Sequence, residues 1–157
     1  MEHIKRTVST VIIIASVVFS IPISMRAFAE TPKVDFTGEW ELDLRSGQEQ
    51  KNNVECGRAY FYIEQKGEKI TGNHVFATSG CGQLNEGFEG SVKGVVIGQT
   101  AVLVVTSGRN GAIVMGKAKR KDNKLYWETE EEIRPGEEEG DSPLIVFKGT
   151  FRLTEPE

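Results

Sequence analysis

The 157-residue chain is poor in the residues that carry catalytic and metal chemistry. Of its two histidines, His3 and His74, only His74 lies beyond the first 29 residues. One histidine and two cysteines, Cys56 and Cys81, fall short of the ligand count for zinc, and without Cys-x-x-Cys there is no redox-active pair. There is no Gly-x-Ser-x-Gly elbow, no phosphate loop and no pair of histidines. A single histidine with no plausible nucleophile nearby does not make a triad. The Asp-x-Asp-x-Asp-Gly spacing of a calcium loop is also missing. These absences speak against an enzyme and leave no cofactor or metal to be expected. A 3.6-residue apolar period is missing too, so helix is limited to a short turn around Arg45 to Asn53.

The one long uncharged run is at the start. His3, Lys5 and Arg6 give it a positive beginning, and Thr7 to Met25 carries no charge. Ala27-Phe28-Ala29 then supplies the small residues that signal peptidase requires, which predicts a secretory leader over 1–29 cut between Ala29 and Glu30. An uncleaved anchor is the alternative, but Ser9, Ser16, Ser20, Pro22 and Ser24 dilute the run. No cysteine at the cleavage point marks a lipoprotein. The expected product is secreted or periplasmic, with no membrane contact after cleavage.

What remains, residues 30–157, is long enough for one core and one domain. It holds 16 basic and 22 acidic residues, a net charge of −6, which argues against nucleic acid and anionic lipid as partners. All 17 glycines fall in this part, a richness that suits many turns and bent strands.

Period-two alternation places strands near 34–44, 58–66, 69–78, 87–96, 99–107, 111–121, 124–133 and 144–154. Phe36, Trp40, Leu42 and Leu44 form the first apolar row. Phe88, Val92 and Val96 mark the fourth, and Phe147, Phe151 and Leu153 the last. Leu125, Trp127 and Thr129 alternate with Tyr126, Glu128 and Glu130, a dry row against a wet one. A turn at Lys66-Gly67-Glu68-Lys69 sets Ile63 opposite Gly72 and Phe61 opposite His74. Another at Asp122-Asn123 sets Lys117 opposite Glu128 and Ala118 opposite Trp127.

Sequential hairpins make a meander, and eight meandering strands must hide two edges. Closure does this, so the predicted fold is an all-β, eight-stranded, antiparallel up-and-down β-barrel, with a flat sandwich as the alternative. Gly90, Gly94 and Gly98, sharing one parity with Phe88 and Val92, and Gly72, Gly116 and Gly149 read as strand-interior glycines that let the wall coil. In this register Cys56 faces residue 79, two places from Cys81, so a Cys56–Cys81 disulfide is expected in an oxidising compartment.

Phe36-Thr37-Gly38-Glu39-Trp40 resembles the Gly-x-Trp first strand shared by lipocalins, avidins and related calycin barrels. Arg152, late in the last strand, is similar to the basic residue that packs over that tryptophan in lipocalins. The resemblance implies that Trp40 and Arg152 close one end, with the guanidinium stacked on the indole. The Thr-Asp-Tyr motif of lipocalins and the biotin-contacting set of avidins have no counterpart here, so no named ligand is carried over. Some calycin barrels catalyse reactions in their cavities, which leaves a pair involving His74 as the one enzymatic alternative.

Candidate ligand contacts are Phe61 and His74 on one face of the second hairpin, Tyr60, Tyr62 and Asn73 on the other, and Trp127 with Thr129. Periodicity leaves open which face points inward; tyrosine and tryptophan in small barrels are mostly core filler with a wet polar tip, and His74 is more often a strand residue with one hydrogen bond than a base. Glu128 to Asp141 forms an acidic stretch around Arg134-Pro135-Gly136. The resulting expectation is an exported binding protein holding a small apolar or amphipathic ligand inside the barrel. The alternative is a protein-binding module, for instance an inhibitor of a cationic cell-wall hydrolase, acting through Ser107 to Gly111 or the acidic loop.

Overall fold

A computed structural model describes residues 34–137 and 146–154. The leader, its cleavage point and Glu138 to Asp141 lie outside them. The strands are β1 (Gly38–Asp43), β2 (Arg58–Lys66), β3 (Lys69–Ala77), β4 (Leu84–Glu86), β5 (Val92–Ile97), β6 (Thr100–Thr106), β7 (Ile113–Lys121), β8 (Lys124–Arg134) and β9 (Lys148–Leu153), with α1 (Gly47–Lys51) after β1. All neighbours pair antiparallel. Eight strands close in the order β1-β2-β3-β5-β6-β7-β8-β9, and β9 returns to β1 at Trp40–Leu153 and Glu41–Arg152. The expected closed barrel is therefore present, with β4 as one added strand.

Both hairpin registers hold: Ile63 faces Gly72, Phe61 faces His74, Lys117 faces Glu128 and Ala118 faces Trp127. Cys56 faces Ser79 and is bridged to Cys81, with Cα atoms 5.2 Å apart. In the chain-entropy model a crosslink over this 25-residue separation stabilises by about 3 kcal/mol. The short turn near Arg45 is α1, where the Ser46 hydroxyl accepts from the Glu49 amide and the Glu49 carboxylate accepts from the Ser46 amide.

Three expectations about strand bounds need correction. The fourth strand does not run 87–96. Gly87 to Ser91 instead form a turn closed by the Ser91 amide donating to the Phe88 carbonyl, and Phe88 is exposed rather than an inward residue. Gly90 and Gly98 have φ of +78° and +62° and belong to turns, which leaves Gly94 as the strand-interior glycine of that set. In the last strand Val146 fills the core position assigned to Phe147, which points to solvent before β9 begins.

The first strand is shorter than 34–44 because residues 34–37 cross one end of the barrel. Gln65 holds this crossing: its carboxamide accepts from the Phe36 amide at 2.8 Å and donates to the Val34 carbonyl at 3.2 Å. Phe36 is thereby buried as a plug beneath Trp40, whose indole N–H donates to the Phe36 carbonyl at 2.9 Å. Trp40 points inward as expected. The cation over its ring is Arg120, 5.3 Å from the centroid, and not Arg152. Arg152 pairs with Glu41 in register, on the outward face. Arg120 also donates to the carbonyls of Asp35 and Asp122, so it ties the plug to the β7–β8 turn.

Candidate functional site

The inward row is filled by the chain itself. Trp40, Phe61, Phe76, Trp127, Phe151 and Leu103 are among the fully buried side chains. Phe61 is the hub, with ring centroids 5.3 Å from Phe76, 5.4 Å from Trp127 and 5.0 Å from Phe151. Each such side chain contributes roughly 1.5–3 kcal/mol by leaving water. The Trp127 indole donates to the Val146 carbonyl at 3.1 Å, so its polar atom is satisfied inside the protein. Of the candidates, Phe61, His74 and Trp127 face inward and touch this packing, Thr129 is half-buried on the same row, and Tyr60 and Tyr62 face outward. The structure thus settles which face of the second hairpin points inward, the question that periodicity left open.

His74 sits where β3 forks. Below it, Lys69 to Gly72 pair with β5; above it, Val75 to Ala77 pair with β4. A fork interrupts the ladder, and side chains fill the gap. His74 Nδ1 lies 3.2 Å from the Ser91 hydroxyl and Nε2 lies 3.0 Å from Asn85 Oδ1, while Asn85 Nδ2 donates to the Ser107 hydroxyl at 2.9 Å. These partners place the imidazole proton on Nε2, with Ser91 donating to Nδ1. Burial pushes the His74 pKa down from 6.5, against the opposing effect of the Asn85 hydrogen bond, so the ring is neutral at pH 7.

Ser91, His74 and Asn85 have the residue types of a nucleophile, base and orienter, but all three are buried. Gly87 covers them so closely that a β-carbon there would stand 2.6 Å from His74 Nδ1. The arrangement joins β3, β4 and two loops instead of facing a substrate. Ser91 and Asn85 were not among the sequence candidates, and Ser107 entered only as the start of a surface loop, because single polar residues beside turns look the same whether exposed or buried. Among the described residues no three of His, Cys, Asp and Glu converge as metal ligands.

Recognition groups gather on the outside. A groove of about 630 Å³ lies over β1, β2 and β3 and the turn into β5, with Glu39, Tyr62, Glu64, Asn73, Glu89 and Lys93 in its walls. Gly38, Gly72 and Gly90 also line it. Register builds the centre: Glu39 faces Tyr62, and Tyr62 faces Asn73. Tyr62 stacks on Tyr60 at 5.8 Å with 19° between the rings. Its phenol pKa is raised, first by partial burial and then by the Glu39 carboxylate. Asn73 Oδ1 is buried without a hydrogen-bond partner, a state that costs about 1–3 kcal/mol until something donates to it.

Asp43 and Arg45 flank the far end of β1. Arg45 donates to both carboxylate oxygens, at 3.0 and 2.7 Å, and this pairing pushes the Asp43 pKa down to about 2. The pair also orients Arg45 toward the Val54 carbonyl at 3.2 Å, so it fixes the chain around α1. Comparison of the chain with family models, with curated proteins and with solved structures finds no match to any of them.

Proposed function

We propose that this is an exported, non-enzymatic binding protein that takes a small amphipathic ligand against the outer wall of its barrel, in the groove at Tyr62 and Asn73. The observation that carries this reading is the contrast between a core closed by its own aromatic side chains and an open groove lined by Tyr62 and by Asn73, whose Oδ1 is buried without a hydrogen-bond partner. Glu39, Glu64 and Glu89 outnumber Lys93 around the groove, which suits a ligand with a cationic N–H donor and an apolar ring. In this reading the ring lies on Tyr62 and the cationic end lies toward the carboxylates of the groove. The disulfide and the sequence of residues 1–29 support export. Among the described residues no helix is long and apolar enough to cross a membrane.

Titration of the isotopically labelled protein with phenethylammonium tests the reading. Saturable shifts at Tyr62, Asn73 and Lys93, lost in Tyr62→Ala and in Asn73→Ala, are the expected result. Shifts centred on Trp127 and Phe151 side chains, or none at any residue, would return the ligand to the interior or remove it.

Capture of a cationic protein is the second reading, favoured by the stiffness of the loop Ser107 to Gly111. The Ser107 hydroxyl accepts from the amides of Arg109 and Asn110, and Asn110 Oδ1 accepts from the Ala112 amide at 3.1 Å. Glu86 beside it pairs with Arg109 at 2.9 Å. A preorganised loop of this kind loses little entropy on docking.

A further inference from the structure

We infer that the outer wall formed by β5, β6 and β7 is a docking surface for an anionic lipid bilayer. The sequence of β6, Thr-Ala-Val-Leu-Val-Val-Thr, is apolar on both faces. Ala101, Leu103 and Val105 enter the core, which leaves Val102 and Val104 on the outside, where an antiparallel strand with a wet face ordinarily carries polar residues. Register extends the feature sideways: Val95 faces Val102, and Val104 faces Met115. Val95 is 45% exposed and Ile97, at the tip of the β5–β6 turn, is 66% exposed. Five aliphatic side chains therefore share one stripe of surface.

Lysines border that stripe on both sides. Lys69 on β3 is opposite Val95, and Lys93 on β5 is opposite Val104. On β7, Lys117 is opposite Val102 and Lys119 is opposite Thr100. Lys117 pairs with Glu130 at 3.0 Å, whereas Lys69, Lys93 and Lys119 form no ion pair among the described residues. Carboxylates lie on the β8 side, where Glu131 faces Met115 and Glu128 faces Lys117, so the cations of the border without an ion pair among the described residues are Lys69, Lys93 and Lys119. Charge complementarity therefore asks for an anionic partner with an apolar layer.

The shape decides in favour of a bilayer. The stripe runs between two grooves, one lined by Lys93 and the other by Lys117 and Lys119, and none of its five apolar side chains lines either of them. A protein partner is gripped through anchors seated in pockets, whereas these side chains stand outside both grooves. Short aliphatic side chains placed this way enter the boundary of headgroups and acyl chains, while lysine stems lie along them and carry the ammonium groups to phosphate. The apolar side chains of the stripe lie outside the Tyr62 groove, and Lys93 borders both.

Sedimentation of the full mature chain with vesicles of phosphatidylcholine, with and without phosphatidylglycerol, tests the inference. Binding is expected to the anionic vesicles, falling steeply with salt. It should drop by about tenfold or more in Val95→Ser/Ile97→Ser and again in Lys69→Gln/Lys119→Gln. Tyr62→Ala should leave it unchanged, and thermal melts confirm that each variant is folded. No binding to anionic vesicles by the folded protein would overturn the inference. So would binding that needs the lysines but ignores the Val95 and Ile97 substitutions, especially if polyglutamate competes, since that is adsorption to any polyanion.

Discussion

Gly116 on β7 lies directly under the indole of Trp127 on β8: a β-carbon at Gly116 would stand 2.8 Å from Trp127 Cζ2 and 2.5 Å from the Glu128 carbonyl. The largest side chain of the strand is thus received by the smallest across the ladder, with Ala118 and Gly149 as the direct partners of Trp127. Gly116→Val is expected to destabilise by about 2–3 kcal/mol through overpacking. Gly116→Ala should cost about 1–3 kcal/mol, because its single β-carbon already meets both the indole and the Glu128 carbonyl. Urea unfolding followed by tryptophan emission measures both, and a Gly116→Val protein as stable as the parent would show that Trp127 is loosely held.

The buried imidazole makes stability depend on pH. Unfolded, His74 titrates near 6.5; folded, its pKa is lower because burial disfavours the charged form. Between the two values the unfolded state binds more protons, so this group's contribution is complete above about pH 6.5 and declines as pH falls toward the folded pKa. His74→Leu removes that dependence but takes one partner from Asn85 Oδ1 and the imidazole partner from the Ser91 hydroxyl, at about 1–3 kcal/mol. Denaturant midpoints from pH 5 to pH 8 are expected to rise in the parent across this window, with a flatter profile in the variant. Parallel profiles would mean that His74 does not titrate on unfolding as described.

Two arginines distinguish what the family resemblance implied from what the barrel does. Arg120→Ala loses the contact over Trp40 and the ties to Asp35 and Asp122, an expected cost of about 1–2 kcal/mol. Arg152→Ala, on the outer face, should change stability by less than about 0.5 kcal/mol. Thermal melts of the two variants side by side check this, and the reverse order would restore Arg152 to the plugged end.

The meander was legible because three signals coincide at each hairpin: turn residues, alternation, and complementary neighbours such as Lys117 with Glu128. The Cys56–Cys81 bridge followed from the same register. What stayed hidden depended on contacts between strands far apart in sequence. Nothing local distinguishes Arg120 from Arg152, since the choice rests on which turn reaches the plug at Phe36. Phe88 read as an inward residue because its parity matches Val92, but the fork at His74 turns the chain between them. The same parity rule fixed each face of the second hairpin without saying which was inside, and Phe61, buried against Trp127, settles that Tyr60 and Tyr62 look outward. The groove at Asn73 was invisible for a related reason: it joins Glu39, Tyr62 and Lys93 from three separate strands, one of which begins after a turn that period-two reading missed.

The account turns on a barrel whose interior is dry and full, so that recognition takes place on its wall. Hydrogen exchange of the two indole N–H protons measures this most directly. Trp40 and Trp127 both donate to backbone carbonyls inside the barrel, so both protons should exchange only through global unfolding, with protection equal to that of the slowest backbone amides. Exchange of the Trp127 proton within minutes at neutral pH, in a protein whose β7 and β8 amides remain protected, would reveal a wet cavity and contradict the account.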